Sequence, residues 1–194
     1  MHQIYTTKAI IIKSIPVGEA NKLYFLLTKD LGFIKASAQG VRKSASKLKS
    51  HLQDLCLVNI SVVKGREIWR IVGVETISQR PFIKDKEKIL VAKNIFSLLL
   101  RLLHGEEKNE ALFDNILSLY DFLSESSLSK DDLANLETII VLRILYHLGY
   151  FKRSFDLSSF AEGNELSLDL LNSFNDKRRL AIKEINEALS ETHL

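Results

Sequence analysis

The spacing of apolar residues changes once along this chain of 194 residues, near residue 80. Before that point apolar residues tend to alternate with polar ones, which is the pattern of a strand with one buried face. Within residues 55–63, for example, Cys56, Val58, Ile60 and Val62 fall on one side. After residue 80 the apolar residues recur every three or four positions, as in an amphipathic helix. We therefore predict a β-rich part followed by an α-rich part.

Five short strands are predicted in the first part. They cover residues 7–15, 23–28, 33–38, 55–63 and 68–77. Most of the connections are tight and contain turn residues, such as Pro16-Val17-Gly18 and Lys64-Gly65-Arg66-Glu67. Five short strands within about 75 residues favour a small closed barrel over a sandwich. An open five-stranded sheet is the competing interpretation.

Helices are predicted after Pro81. The apolar spacing indicates one helix that ends before Gly105, a second over residues 112–123, and a third that ends at Gly149. Ser129 is the predicted N-cap of the third helix, and a charged helix follows over residues 176–190. A weaker region lies between them, at residues 154–164. The predicted domains are residues 1–80 and 81–194.

The two parts differ in charge. Residues 1–80 hold 13 lysines and arginines against five acidic residues, a net charge of +8, whereas residues 81–194 carry a net charge of −5. This contrast suggests that the first part meets a polyanion. The basic residues concentrate where no acid occurs between Asp30 and Asp54. Five cations lie there and are predicted to contact phosphates: Lys35, Arg42, Lys43, Lys47 and Lys49.

Other residues of the first part are weaker candidates for binding. Lys13 and Lys22 extend the set of predicted phosphate contacts. Tyr24, Phe33 and Trp69 are aromatic residues that either stack on bases or belong to the core. For the basic segment itself, the alternative interpretation is a solvated, flexible connector between strands.

Signatures of catalysis and of cofactor binding are missing from the sequence. Cys56 is the one cysteine, so no disulfide framework and no cysteine-rich zinc site is expected. The glycines are isolated, the histidines are scattered, and Glu106-Glu107 is interpreted as a solvated turn. No apolar run approaches the roughly 20 residues of a membrane span, and the start lacks a secretory pattern. We expect a non-catalytic cytoplasmic protein without cofactor, metal or membrane.

Several segments, in this order and at this spacing, resemble the RecO family of bacterial recombination mediators in DNA repair. They are residues 9–12, 18–23, 26–34, 39–48, 69–71, 112–113 and 142–150. Residues 26–34 are similar to the family's strand–turn–strand with Thr28 and Gly32, and residues 39–48 to its basic loop. The resemblance therefore covers most of residues 5–150.

The resemblance implies an N-terminal OB-fold barrel, an α+β multidomain chain and a helical second domain. It implies binding to single- and double-stranded DNA, annealing of complementary strands, cooperation with RecR, and contact with the C-terminal tail of single-stranded DNA-binding protein. RecA loading would follow, in the cytoplasm near the nucleoid. Two features depart from the family. Residues 151–175 contain no cysteine, so the four-cysteine zinc motif of many members is absent, and Asp54 stands where proline is frequent.

A groove for the acidic, apolar partner tail would need a cation at its rim, and Arg101 or Arg143 are the candidates. The alternative is that both are ordinary exposed helix charges. Two other functions stay open at this point. One is that of an RNA-binding OB protein, and the other is that of an adaptor whose barrel binds a protein and whose basic loop is solvated.

Overall fold

Five β-strands of the first part close into one barrel. In this computed structural model, which describes residues 3–78, 85–151 and 156–191, the strands are β1 (Ile4–Val17), β2 (Asn21–Thr28), β3 (Gly32–Ala38), β4 (Leu57–Lys64) and β5 (Trp69–Ser78). Their order around the barrel is β1-β2-β3-β5-β4, and β1 closes it by pairing antiparallel with both β2 and β4. The predicted closed barrel is confirmed, and the open sheet is excluded.

The barrel interior contains the residues that the alternating pattern places on one face. Cys56, Val58, Ile60 and Val62 all lie in it, as predicted. Trp69 is also buried there, and its ring packs edge-on against that of Tyr5, with 5.4 Å between the ring centroids. Cys56 stands directly before β4, and the core also contains the strand residues Ala9, Ile11, Tyr24, Leu26, Ile34, Ala36, Ala38 and Ile71.

The turn between β2 and β3 explains why Thr28 and Gly32 stand four residues apart. The Thr28 hydroxyl accepts the Leu31 backbone N–H at 3.0 Å and donates to the Gly32 carbonyl at 2.8 Å. Gly32 has a φ of +67°, which disfavours residues with a Cβ. A Cβ at this position would also overlap the backbone carbonyl of Glu107. Both the positive φ of the turn and the close packing of the Glu107 backbone therefore favour glycine at this position.

Six helices follow in the described residues of the second part. They are α1 (Lys86–Leu102), α2 (Glu110–Glu125), α3 (Lys130–His147), α4 (Ser158–Ala161), α5 (Leu168–Ser173) and α6 (Arg178–Glu191). The predictions of α1, α2, α3 and α6 are confirmed. The helices α4 and α5 were not predicted, because helices of four and six residues are too short to show a periodic pattern of apolar residues.

Side chains fix the ends of two of these helices. Ser129 caps α3 as predicted: its hydroxyl accepts the Asp132 N–H at 3.2 Å, and the Asp132 carboxylate accepts the Ser129 N–H at 2.9 Å. At the C-terminal end of α2, the nearly buried ammonium group of Lys88 donates to the carbonyls of Leu123 at 2.8 Å and Ser126 at 2.6 Å. A cation there also complements the negative end of the helix dipole.

The chain divides into two compact units. The first comprises Met1–Pro81 and Leu103–Glu110, and the second comprises Phe82–Leu102 and Ala111–Leu194. The connection between α1 and α2 therefore packs with the barrel, although the sequence analysis assigned it to the helical part. The boundary predicted at residue 80 falls within residues 79–84, outside the described residues, and stays a prediction.

Candidate nucleic-acid interface

The basic loop, residues 39–56 between β3 and β4, is folded against the end of the barrel. Its Gly40 N–H donates to the Asn21 side-chain oxygen at 2.8 Å, and its Arg42 N–H donates to the Ala20 carbonyl at 2.9 Å. Val41 and Leu52 of the loop are buried in the barrel core. The segment is therefore anchored to the barrel at these points, while most of its side chains between residues 42 and 50 are exposed, so the interpretation as a solvated connector stays open. The sequence signal for this attachment was the presence of the apolar residues Val41 and Leu52 among the charged ones.

Three of the predicted cations meet at one depression on this end of the barrel, which we call the barrel-end cleft. Lys22 of β2 and Arg42 and Lys49 of the loop line it, together with Tyr24, Val41 and Leu52, around about 330 Å³. Its volume lies at the lower limit for small-ligand pockets. The cleft thus brings three cations together beside Tyr24, Val41 and Leu52, although its residues come from distant parts of the sequence.

The cations of the cleft differ in how firmly they are held. The Arg42 guanidinium donates from Nη1 to the Gly18 carbonyl at 2.6 Å, and the Lys22 ammonium donates to the Ser14 hydroxyl at 3.3 Å. Lys43, Lys47 and Lys49 are exposed, and they form no ion pair or side-chain hydrogen bond with a described residue. We infer that Arg42 also braces the β1–β2 turn, whereas the three lysines carry positive charge with no other described role.

Lys13 and Lys35 lie elsewhere, on the outer wall of the barrel. In the strand register Phe25 pairs with Lys13 on one side and with Lys35 on the other. The Lys35 ammonium is 5.8 Å from the Phe25 ring centroid, and the Phe25 ring stacks on Phe33 at 6.3 Å. Phe25 was not among the predicted aromatic candidates. The signal was present, because Phe25 must face outward if its neighbour Tyr24 faces the core.

Tyr24 and Trp69 do not present their rings to solvent. Tyr24 is buried in the core and its hydroxyl donates to the Leu52 carbonyl at 3.4 Å. Burial, together with the nearby negative charge of Asp54, raises the pKa of Tyr24 to about 12. Phe33 is also mostly buried. Of the three aromatic candidates, none forms an exposed stacking surface.

A second depression lies beside the hairpin that joins β4 to β5. This hairpin groove encloses about 700 Å³ and is lined by Ser37, Lys64, Arg66, Glu67, Ile68 and Arg70, among others. It occurs where β3 and β5 pair over only two positions, one of which is Ser37 with Arg70. The groove and the barrel-end cleft share no lining residue.

Glu106 reaches the base of the same hairpin. Its carboxylate accepts the Trp69 indole N–H at 2.8 Å and the Lys64 ammonium at 3.0 Å. Although partial burial raises the pKa of Glu106, the two hydrogen bonds and the Lys64 charge outweigh it and leave the pKa below its usual value. Glu106 and Glu107 are exposed, as expected of a solvated turn. The two partners of Glu106 were not predicted, because Trp69 lies 37 residues away in the sequence.

The two arginines expected at a partner groove have different environments. Arg101 is exposed in the last turn of α1. Arg143 is only 1% exposed, and its guanidinium donates to the carbonyls of Phe160 at 2.9 Å and Glu165 at 3.0 Å. Burial lowers the pKa of Arg143 to about 10. Arg143 is therefore not an exposed rim cation, as had been expected, but a buried link between α3 and the chain around α4.

His147 is the last residue of α3. It is half-buried and its Nε2 lies 3.2 Å from the side-chain nitrogen of Asn115. Burial, and secondly the positive charge of Arg143, lower the pKa of His147. Within residues 3–78, 85–151 and 156–191, no group of three or more His, Cys, Asp and Glu could hold a metal ion. None of the helices in the described ranges is long and apolar enough to cross a bilayer.

Comparison with known proteins identifies the barrel. Residues 1–80 match the family model described as the N-terminal domain of recombination protein O. This part of the chain belongs to the RecO family. The expected family, its OB-fold barrel and the helices that follow are thereby confirmed, and DNA repair and recombination is the field in which the family acts.

Curated relatives extend the similarity beyond the barrel. The chain is 36% identical over 126 residues to a DNA repair protein RecO of Dehalococcoides mccartyi, covering 63% of this chain and 49% of that protein. It is 30% identical over 148 residues to the RecO protein of Clostridium novyi, covering 76% of this chain and 57% of that protein. The matches thus span about half the length of these relatives.

Proposed function

We propose that this protein is a non-catalytic mediator of recombinational DNA repair that binds single- and double-stranded DNA through the basic loop. The observation that carries the proposal is the barrel-end cleft, where Lys22, Arg42 and Lys49 line one depression. Three cations at one site neutralise successive phosphates better than scattered charges do, because each contact releases a condensed counterion. The family match of the barrel supports DNA as the ligand.

The proposed role of each cation in DNA binding depends on its environment in the barrel. Lys43, Lys47 and Lys49 are exposed and contact phosphates, whereas Arg42 and Lys22 hold the cleft in shape and contribute charge. Lys13 and Lys35 flank Phe25 on the wall, where a base stacks on an aromatic ring while the lysines bind the backbone. None of these groups reads a base edge, so binding is independent of sequence.

The later steps of the proposal rest on the family. Neutralised strands approach each other with less repulsion, which promotes annealing of complementary strands. We include cooperation with RecR, contact with the C-terminal tail of single-stranded DNA-binding protein, and help in loading RecA, in the bacterial cytoplasm near the nucleoid. Arg101 is the remaining candidate for the rim cation that meets the acidic tail, because it is exposed on α1.

The experiment measures DNA affinity against salt. With about four phosphates neutralised on single-stranded DNA, log K should fall with log salt at a slope of roughly −3. The variant K43A/K47A/K49A should flatten the slope by about 2, since each lost contact removes roughly 0.7. The matched control is K93A/K130A/K183A, which removes three exposed cations from the helical unit and should leave the slope unchanged. Equal slopes for both variants would contradict the proposal.

The same titration separates the two alternatives. A matched RNA strand that binds clearly more tightly than DNA would favour an RNA-binding protein, because the 2′-hydroxyl distinguishes the two. No retention of either strand at physiological salt would favour a protein-interaction adaptor. A strand-annealing assay, with DNA coated by its single-strand binding protein, then tests the mediator steps.

A further inference from the structure

The hairpin groove has the chemistry of a nucleic-acid site, although it lies outside the basic loop. Lys64, Arg66 and Arg70 line it against one acidic residue, Glu67. Arg66 and Arg70 are exposed and form no ion pair with a described residue. The Ser37 hydroxyl adds a polar group, and Ile68 adds an apolar surface that is 39% exposed. Phosphate backbones are recognised by this combination of arginine, lysine and hydroxyl groups.

The position of the groove makes it independent of the barrel-end cleft. Ser37 and Leu23 pair across β3 and β2, so both side chains point to the outer wall. Lys22, next to Leu23, points instead into the end of the barrel, where it lines the cleft. A DNA strand bound in the hairpin groove would therefore run along the outer wall of the barrel, whereas a DNA strand bound in the barrel-end cleft would cross the end of the barrel. Two DNA strands can occupy the groove and the cleft without sharing a contact residue.

Glu106 limits the positive charge of the groove. Its carboxylate already binds the Lys64 ammonium, and both side chains are partly exposed, at 62% for Lys64 and 42% for Glu106. A phosphate that approaches Lys64 meets a carboxylate in the place where its own oxygen would bind. The carboxylate is held there by the indole N–H of Trp69, and its lowered pKa keeps it ionised at neutral pH.

We propose that the hairpin groove is a second nucleic-acid site, which binds the phosphodiester backbone of one DNA strand, and that Glu106 competes with this strand for Lys64. Only the choice of DNA as the strand rests on the proposed function. Arg66 and Arg70, which form no ion pair with a described residue, supply positive charge, and the Lys64 ammonium joins them when the DNA strand displaces Glu106. The affinity of the groove is accordingly set by the connection between α1 and α2.

The chain contains a built-in reporter for this site. Trp69 is its one tryptophan, and its indole N–H donates to the carboxylate that the strand would displace. The experiment titrates the protein with a labelled single-stranded DNA of about 30 nucleotides, long enough to cover both surfaces. Label anisotropy reports total binding, and Trp69 emission reports the groove. Circular dichroism and urea midpoints confirm that each variant is folded.

Three variants separate the groove from the loop. R66A/R70A should abolish the change in Trp69 emission while anisotropy still reports binding, and the salt slope should flatten by about 1.4 for two lost phosphate contacts. K43A/K47A, the matched control with the same charge change, should weaken binding by anisotropy and keep the Trp69 response. E106Q should tighten groove binding about two- to fivefold, the range that an exposed ion pair such as Lys64–Glu106 is worth.

Each other outcome counts against a stated part of the proposal. If the oligonucleotide binds by anisotropy but leaves Trp69 emission unchanged, the second site is wrong and the proposed function stands. An unaltered Trp69 response in R66A/R70A also rejects the groove. If E106Q binds no more tightly than the native chain, the competition by Glu106 is wrong. Absence of binding in both signals would overturn the proposed function as well.

Discussion

Replacing Gly32 with alanine should destabilise the barrel far more than the same replacement at Gly18. Both glycines have a positive φ, +67° and +60°, so both variants incur the backbone cost of about 1 kcal/mol for a left-handed residue with a Cβ. A Cβ at Gly18 meets no atom within 4 Å. At Gly32 it overlaps the backbone of Glu107, so residues 103–110 must move. The difference between the two variants isolates this packing.

The extra cost follows from what that movement breaks. Displacing Glu107 displaces its neighbour Glu106 from the Trp69 indole, a hydrogen bond to a charged group worth about 1.5–3 kcal/mol. The exposed ion pair with Lys64 adds only about 0.2–1 kcal/mol. We therefore expect G32A to cost about 3–5 kcal/mol against about 1 kcal/mol for G18A.

Urea unfolding followed by Trp69 fluorescence measures both values, since the one tryptophan lies in the barrel core. The double variant G32A/E106A gives a further check. If G32A already breaks the Glu106 contacts, E106A should cost much less in the G32A background than alone. Additive costs, or a G32A variant as stable as G18A, would show that the packing of residues 103–110 does not hold Glu106 in place.

Three other predictions concern single groups. Lys88→Met should lower the free energy of unfolding by about 2–4 kcal/mol, because two carbonyls at the end of α2 lose a charged donor. Urea unfolding followed by circular dichroism measures this loss, and the same substitution at the exposed Lys93 should cost under about 0.5 kcal/mol. Acid titration of Trp69 emission should show its change only below pH 4.5, since the lowered pKa of Glu106 keeps the contact present above that value and loses it as the pH falls further. The helical unit should lose stability as the pH falls below 6.5, because the unfolded chain then binds a proton that the half-buried His147 resists in the folded chain. His147→Gln should remove this dependence of stability on pH.

The barrel was predictable because its information is local. Alternating residues such as Val58 and Ile60 identify the face that must be buried, and the glycine-containing turns limit how neighbouring strands connect. The same holds for α3, whose N-cap Ser129 and acidic first turn stand directly before a long apolar repeat. In both cases each element carries its own pattern, so no distant contact needs to be known.

The interface was predictable only in part, because its geometry depends on residues far apart in sequence. The basic loop was recognised from its charge, but its attachment to the barrel depends on Asn21 and Gly18, which carry no charge signal. Arg143 was wrongly predicted to be an exposed cation, because its hydrogen-bond acceptors are backbone carbonyls. Every residue has a backbone carbonyl, so the sequence does not indicate which ones will accept a hydrogen bond. Glu106 was missed for a similar reason: its partners lie on another element.

The short contact between β3 and β5 has a consequence for how the barrel opens. These strands share two paired positions, whereas β1 and β2 share eight, so fewer backbone hydrogen bonds resist separation there than elsewhere around the sheet. Local unfolding should begin at this junction, and the amides beside it should exchange with solvent before those of the other strands. Such an opening would widen the space next to Arg70, so the dimensions of the hairpin groove depend on how firmly these two strands pair.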